Sequence, residues 1–339
     1  MIAALTAAAL LAAAPALAAG PEGARVSADE AWSAALDALP ALRPAPAAPQ
    51  APTVCSELNF DGVTWPGAMT ADDRAAFEVA LNISGSFEGS TGWVNLTNNF
   101  DGQGLSLGLL NQCLGQGSLQ PMLIRLRDEH PETLKADLGP EHLKSLLDML
   151  AKWQKEASVG LESAPLSTLD NPDEDGGPRA TAADGESVRW AVANLYDAGD
   201  KFKPSWEGEL TALASSRDYV SVQIAAAARY HDRSLADEDR AGVRELRAYL
   251  FLFDVQVQNG GLYPGDFDDY AAYRRSHPKA GATALLEELL DLRLRHVKTK
   301  YKPDVRARKL AVINGAGKVH GEARNLPVQY CYDGAWPYR

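Results

Sequence analysis

Between Thr70 and Glu88 the chain reads TADDRAAFEVALNISGSFE, and Phe77, Ala80, Leu81 and Ser84 fall near one face at helical spacing. Thr70 can cap this helix, with Asp72 and Asp73 in the first turn, where carboxylates favour the positive end of the helix dipole. Gly85 and Gly89 loosen its end, which puts Glu88 at or just past the C-terminus. Residues 92–108 lose the helical period; short Gly- and Asn-rich runs are punctuated by Trp93, Val94, Leu96 and Phe100, the pattern of a small β-hairpin. A second helix is expected from Ser118 to His130, with Pro121 in its first turn. Helical patterns then dominate, at roughly 141–157, 187–198, 206–230, 236–258 and 281–299. The run 160–186 is acidic and turn-rich and reads as a loop insertion. The pattern gives a mainly α protein with one small β element in its N-terminal third.

The ends of the chain differ from this body. Residues 1–19 form an apolar run closing on Ala16-Leu17-Ala18, a small-x-small cleavage pattern, and too short for a typical membrane span. No Lys or Arg precedes the run, and an Ala-rich helix is the alternative. The expectation is export, to a periplasmic or secreted location. Residues 20–54 are rich in Ala and Pro and read as a linker, so the folded region is expected to span 55–339. Of three cysteines, Cys55 and Cys331 lie near opposite ends of it, and a bridge between them would close a long loop worth about 4 kcal/mol or more in a chain-entropy account. A Cys55–Cys113 bridge is the competing pairing. The net charge of −12 argues against nucleic acid, whose binding rests on basic patches, and disfavours anionic lipid. The chain is expected to act as a monomer, with no nucleic acid, cofactor or metal.

The stretch Asn82–Pro121 carries only two acidic residues, Glu88 and Asp101, in a chain otherwise crowded with charge. Glycosidic hydrolysis needs one carboxylic acid to protonate the leaving oxygen and one carboxylate across the cleft to activate water. Phe87 and Trp93 flank Glu88 and would give it an apolar surround of the kind that keeps an acid protonated. The glycines after Asp101 would let a substrate chain approach the backbone, and Asn95, Gln103, Ser106 and Asn111 offer uncharged hydrogen-bonding groups. Elsewhere the histidines are scattered without HExxH, no Ser sits in GxSxG, and NGAGKVHG at 314–321 lacks the spacing of a phosphate loop. The aromatic tail YCYDGAWPYR is expected to pack against the body.

The order of these residues resembles the lysozyme-like superfamily. In Asp101-Gly102-Gln103-Gly104-Leu105-Ser106-Leu107-Gly108 the pattern is similar to that of family 46 chitosanases, a Glu, a hairpin, then Asp-x-Arg-Gly-x-Thr-x-Gly, with Gln103 standing where Arg is usual. Gly108-Leu109-Leu110-Asn111 is similar to a run in goose-type lysozymes, and NFDGQGLSLG with LGQGSLQPM resembles bacterial peptidoglycan-cleaving domains. Downstream, Leu252–Gly260 resembles a core helix of these families that lines the cleft. The resemblance implies an α+β lysozyme-like fold, a helical body in two lobes with a β-hairpin carrying part of the active site. It implies Glu88 as general acid, Asp101 as base or water-orienting residue, and Ser106 helping to hold the water. Trp93, Asn95, Gln103, Gly104, Asn111, Asp254, Gln258 and Asn259 would bind substrate, with a buried ion-pair role weighed equally for Asp254. Related enzymes invert at the anomeric carbon, which needs carboxyls ~6.5–9.5 Å apart rather than the ~5–5.5 Å of retention. The implied activity is an exported glycoside hydrolase cleaving a β-1,4-linked amino-sugar polymer, peptidoglycan first and chitosan second. A wall-binding module without turnover is the non-enzymatic alternative.

Overall fold

A computed structural model describes residues 55–67, 69–157 and 181–339. The expected export segment 1–19, the linker 20–54 and most of the acidic insertion lie outside the described residues.

Helix α1 (Ala71–Glu88) starts where Thr70 and Asp73 cap each other, the Thr70 hydroxyl accepting from Asp73 N at 3.0 Å and the Asp73 carboxylate from Thr70 N at 3.2 Å. The chain then forms a three-stranded antiparallel sheet, β1 (Leu96–Thr97), β2 (Ser106–Leu107) and β3 (Gln112–Cys113), in the order β1-β2-β3. Helices α2 (Gln120–Glu129), α3 (Pro131–Asp137) and α4 (Pro140–Ala157) follow, each with a proline at its first or second residue. Helix α5 (Ala182–Asn194) leads into the hairpin β4 (Tyr196–Asp197) and β5 (Lys201–Phe202), then α6 (Pro204–Ser215) and α7 (Arg217–Ala241). The last third is α8 (Leu246–Asn259), α9 (Pro264–Ser276), α10 (Ala282–Leu294), α11 (Lys302–Asn314), the hairpin β6 (Ala316–Val319) and β7 (Glu322–Asn325), and α12 (Leu326–Tyr330).

The expected mainly helical α+β body is present, and its apolar residues form two cores. One joins α1, α8, α10, α11 and the aromatic tail; the other joins the sheet, α2 to α6 and part of α7. Helix α7 serves both, sending Val220 and Ile224 to the first core and Tyr219 and Val222 to the second. Where one helix was expected over 206–230, Ser216 divides it and caps the new start, accepting from Tyr219 N at 3.3 Å. Gly242, left-handed at φ +66°, ends α7 and separates it from α8, so the single helix expected over 236–258 is also divided. The helix expected at 187–198 begins earlier, capped by Thr181, so residues 182–186 are helix rather than loop. Helices α9 and α11 were not anticipated.

Cys55 and Cys331 are bonded, with Cα atoms 5.2 Å apart, and Cys113 is free and buried, so the Cys55–Cys113 alternative falls. The tail packs as expected: Tyr330, Tyr332, Trp336 and Tyr338 are buried, and the Tyr338 hydroxyl donates to Asp73 at 2.8 Å. Among the described residues no helix is long and apolar enough to cross a membrane.

Candidate active site

Helix α1 delivers Glu88 on its last residue, with about a fifth of the side chain exposed (21%). Its neighbours differ from the apolar surround expected from sequence. Arg308 on α11 sits with Nη1 2.8 Å from Glu88 Oε1. The same guanidinium lies over the Phe87 ring, 4.9 Å from its centroid, so Phe87 covers the arginine rather than the acid. Trp93 is turned into the first core, its indole N–H donating to Asn59 O at 3.2 Å.

Arg308 does not serve Glu88 alone. Its Nη2 donates to Asp254 Oδ1 at 2.7 Å and its Nε to Asp254 Oδ2 at 3.0 Å. Lys309 donates to Asp254 Oδ2 at 2.5 Å and to its carbonyl at 2.6 Å, and the Ser84 hydroxyl donates to Oδ1 at 2.9 Å. Asp254, Arg308 and Lys309 are all buried. Burial opposes the Asp254 charge, but the two cations and their hydrogen bonds hold its carboxyl well below the usual carboxylate range. Burial pushes Lys309 down to about 7 against the pull of Asp254, while the Asp254 and Glu88 carboxylates overcome burial at Arg308 and hold it above its ordinary value. Of the two roles weighed for Asp254, substrate contact falls at 0% exposure and the buried ion pair holds: it shares the Arg308 charge.

Asp101 is set by local means. Residues Asn99–Asp101 make one turn of 3₁₀ helix, capped by Asn98, whose Oδ1 accepts from Phe100 N at 3.2 Å and whose Nδ2 donates to Asp200 O at 2.9 Å. The Asp101 carboxylate accepts from Gln103 N at 3.1 Å and is otherwise exposed to solvent. Phe100 beside it is 77% exposed, an uncommon setting for a large apolar ring and one that sequence reading took for part of the hairpin pattern.

The glycines after Asp101 have a different purpose from the one expected. A Cβ on Gly104 would stand 3.0 Å from the backbone of Val188, and one on Gly108 2.4 Å from Gln223 Oε1. Both have positive φ, and both let a helix, not a sugar, approach the sheet. Only Gly102 of this run borders open space. Gln223 uses that approach: its Oε1 accepts from Leu109 N at 2.7 Å and its Nε2 donates to Trp93 O at 3.3 Å, tying the sheet to α7.

The other expected site residues divide by burial. Ser106 is 1% exposed within β2, so its hydroxyl is closed to a water in the cleft. Asn95 is buried and accepts from the Thr91 hydroxyl at 2.8 Å. Gln103 accepts from the Cys113 thiol at 3.5 Å and packs against Gly115, which leaves the usual arginine's place filled by a neutral, locally bonded amide. Burial pushes that thiol up to about 11. Asn111, half-buried at φ +56°, accepts from the Thr97 hydroxyl at 3.3 Å. At the end of α8, Asn259 is buried and Gln258 half-buried, and Oδ1 of the first and Oε1 of the second lack hydrogen-bond partners among the described residues. A cleft of about 790 Å³ opens beside Glu88, lined by Ser86, Gly89, Ser90, Arg217, Glu322 and Arg324 among others, and neither Glu88 nor Asp101 lines it.

No protein-family model matches the chain, and no curated protein matches it. Solved structures similar to it include a family 46 chitosanase of Gynuella sunshinyii in complex with chitotetraose, at 15% identity over 76% of this chain and 99% of that one, TM-score 0.44. A chitosanase with bound substrate is 17% identical over 78% and 99%, TM-score 0.41, and a native chitosanase of Bacillus subtilis 14% over 76% and 98%, TM-score 0.40. Likeness at this level carries no argument about activity, which rests on the groups at the site.

Proposed function

We propose that the protein is an exported glycoside hydrolase that cleaves a β-1,4-linked amino-sugar polymer, peptidoglycan before chitosan. The observation that carries this reading is the pairing of Glu88 with an arginine whose charge is already shared by a buried aspartate. With Asp254 taking two of its N–H groups, Arg308 orients the Glu88 carboxyl while much of its charge is spent elsewhere. Glu88 then protonates the glycosidic oxygen as the bond to the anomeric carbon breaks. Asp101, exposed on its turn, takes a proton from the water that attacks the opposite face, and the product inverts. Phe100 offers an apolar face beside Asp101 for a sugar ring to rest on. The Cys55–Cys331 bond suits an oxidising compartment outside the cytoplasm.

Two other readings each have one observation in their favour. Chitosan, a polycation, suits the net charge of −12. A wall-binding module without turnover suits the direct Glu88–Arg308 ion pair. The test is digestion of purified peptidoglycan and of chitosan, with reducing ends counted and the anomer of the first product read by NMR. Release from peptidoglycan with inversion is expected. Release from chitosan alone selects the second reading, and sedimentation with wall but no release from either polymer selects the third.

A further inference from the structure

The cleft of about 790 Å³ beside Glu88 is as large as a small-molecule site. Its walls come from separate elements: the last turn of α1 with Ser86 and Gly89, the start of α7 with Arg217, and the β6–β7 hairpin with Glu322 and Arg324. Its charges differ in how far they are spent. Arg324 is committed to Ser86 and Tyr330, which its Nη2 reaches at 2.7 and 3.3 Å. Arg217 and Glu322 are exposed and enter no ion pair with each other or with any other described residue. The cleft thus presents two cations, Arg217 and Arg324, and two carboxylates, Glu57 and Glu322, neither carboxylate entering an ion pair among the described residues. A short chain bearing both carboxylates and an amine finds a partner for each.

Resting on the peptidoglycan reading above, we infer that this cleft receives the stem peptide, a short zwitterionic peptide that peptidoglycan carries on alternate sugars. Gly89 and Ser90 line the cleft and follow Glu88 directly in the chain, so a glycan held with its scissile bond at Glu88 has its substituents within reach of it. A carboxylate of the peptide pairs with Arg217, and the side-chain amine of its diamino acid pairs with Glu322. The site then favours cleavage next to sugars that bear a peptide.

The test compares peptidoglycan with intact stems against the same glycan stripped of them by an amidase. The wild type should show a kcat/KM at least about 5-fold higher on the intact polymer. Arg217→Ala and Glu322→Gln, both exposed and outside the acid–base pair, should lose most of that advantage while cutting stripped strands as the wild type does. Equal rates on the two polymers, or equal losses on both in the variants, overturn the proposal and leave the hydrolase reading standing. Titration of the soluble tetrapeptide alanyl-glutamyl-diaminopimelyl-alanine into the protein, followed by NMR, reads the cleft without turnover. Binding that Arg217→Ala abolishes supports the inference even if no polymer is cut, and absence of binding at millimolar peptide overturns it even if walls are cut.

Discussion

Glu88 and Asp101 are carried by opposite kinds of structure. Glu88 stands at the edge of the first core, held by an ion-pair network whose other members are buried and come from α8 and α11. Asp101 stands on an exposed turn, held by an Asn cap and its own neighbour's amide within a few residues of sequence. The first position depends on tertiary partners far along the chain. The second depends on local backbone chemistry. The difference teaches where a change should cost folding and where it should cost only chemistry.

The largest effect is expected at Arg308. Arg308→Ala leaves Asp254 buried with one cation fewer, and breaking a buried pair from one side costs about 3–5 kcal/mol. Denaturant unfolding should show this loss, and the double change Asp254→Leu with Arg308→Met should recover part of it. A cost below about 1 kcal/mol for Arg308→Ala would erase the contrast between the two regions.

Next comes Glu238, also in the buried half. Its carboxyl is fully buried without a hydrogen-bond partner among the described residues, and burial pushes it up to about 8. The unfolded chain releases that proton near the ordinary value of about 4.3. Because the folded value is the higher one, its contribution is fully present below the unfolded value and is lost as pH rises through about 8. Glu238→Gln should flatten the fall in stability between these limits by about 1–3 kcal/mol, measured as unfolding free energy against pH. An unchanged slope would mean that the buried charges of this half do not set its pH response.

At the exposed turn the order reverses. Asp101→Asn should change unfolding free energy by no more than about 0.5 kcal/mol, yet lower turnover by about 10²–10⁴-fold. A stability loss matching that of Arg308→Ala would show the turn to be part of the core after all. The smallest effect is expected at Phe100, where Phe100→Ala should leave stability and kcat nearly unchanged and raise KM by about 3–10-fold, worth about 0.5–1.5 kcal/mol of ring stacking. An unaltered KM would remove the ring from the substrate path.

How much could be read beforehand follows the same division. The α1 start was legible because Thr70 and Asp73 lie three residues apart and cap each other. The turn bearing Asp101 was legible because Asn and Gly announce it locally. Helix α11 was not, because Arg308 and Lys309 occupy buried positions where a periodic pattern expects apolar residues. Their partner, Asp254, lies on another helix, and no spacing rule reaches it. The glycines after Asp101 were seen but misassigned, since only the packed helices reveal that Val188 and Gln223 fill the space they leave. Ser106 failed for a related reason: its strand buries it, and alternation over two residues is too short to tell the inner face from the outer.

The central claim is that Glu88 supplies the proton that breaks the glycosidic bond. It is tested most directly by the rate of reducing-end release from purified peptidoglycan by Glu88→Gln, at a thermal midpoint matched to the wild type. The account predicts a fall of about 10³-fold or more with folding intact. A variant that keeps more than about a tenth of wild-type release would contradict it.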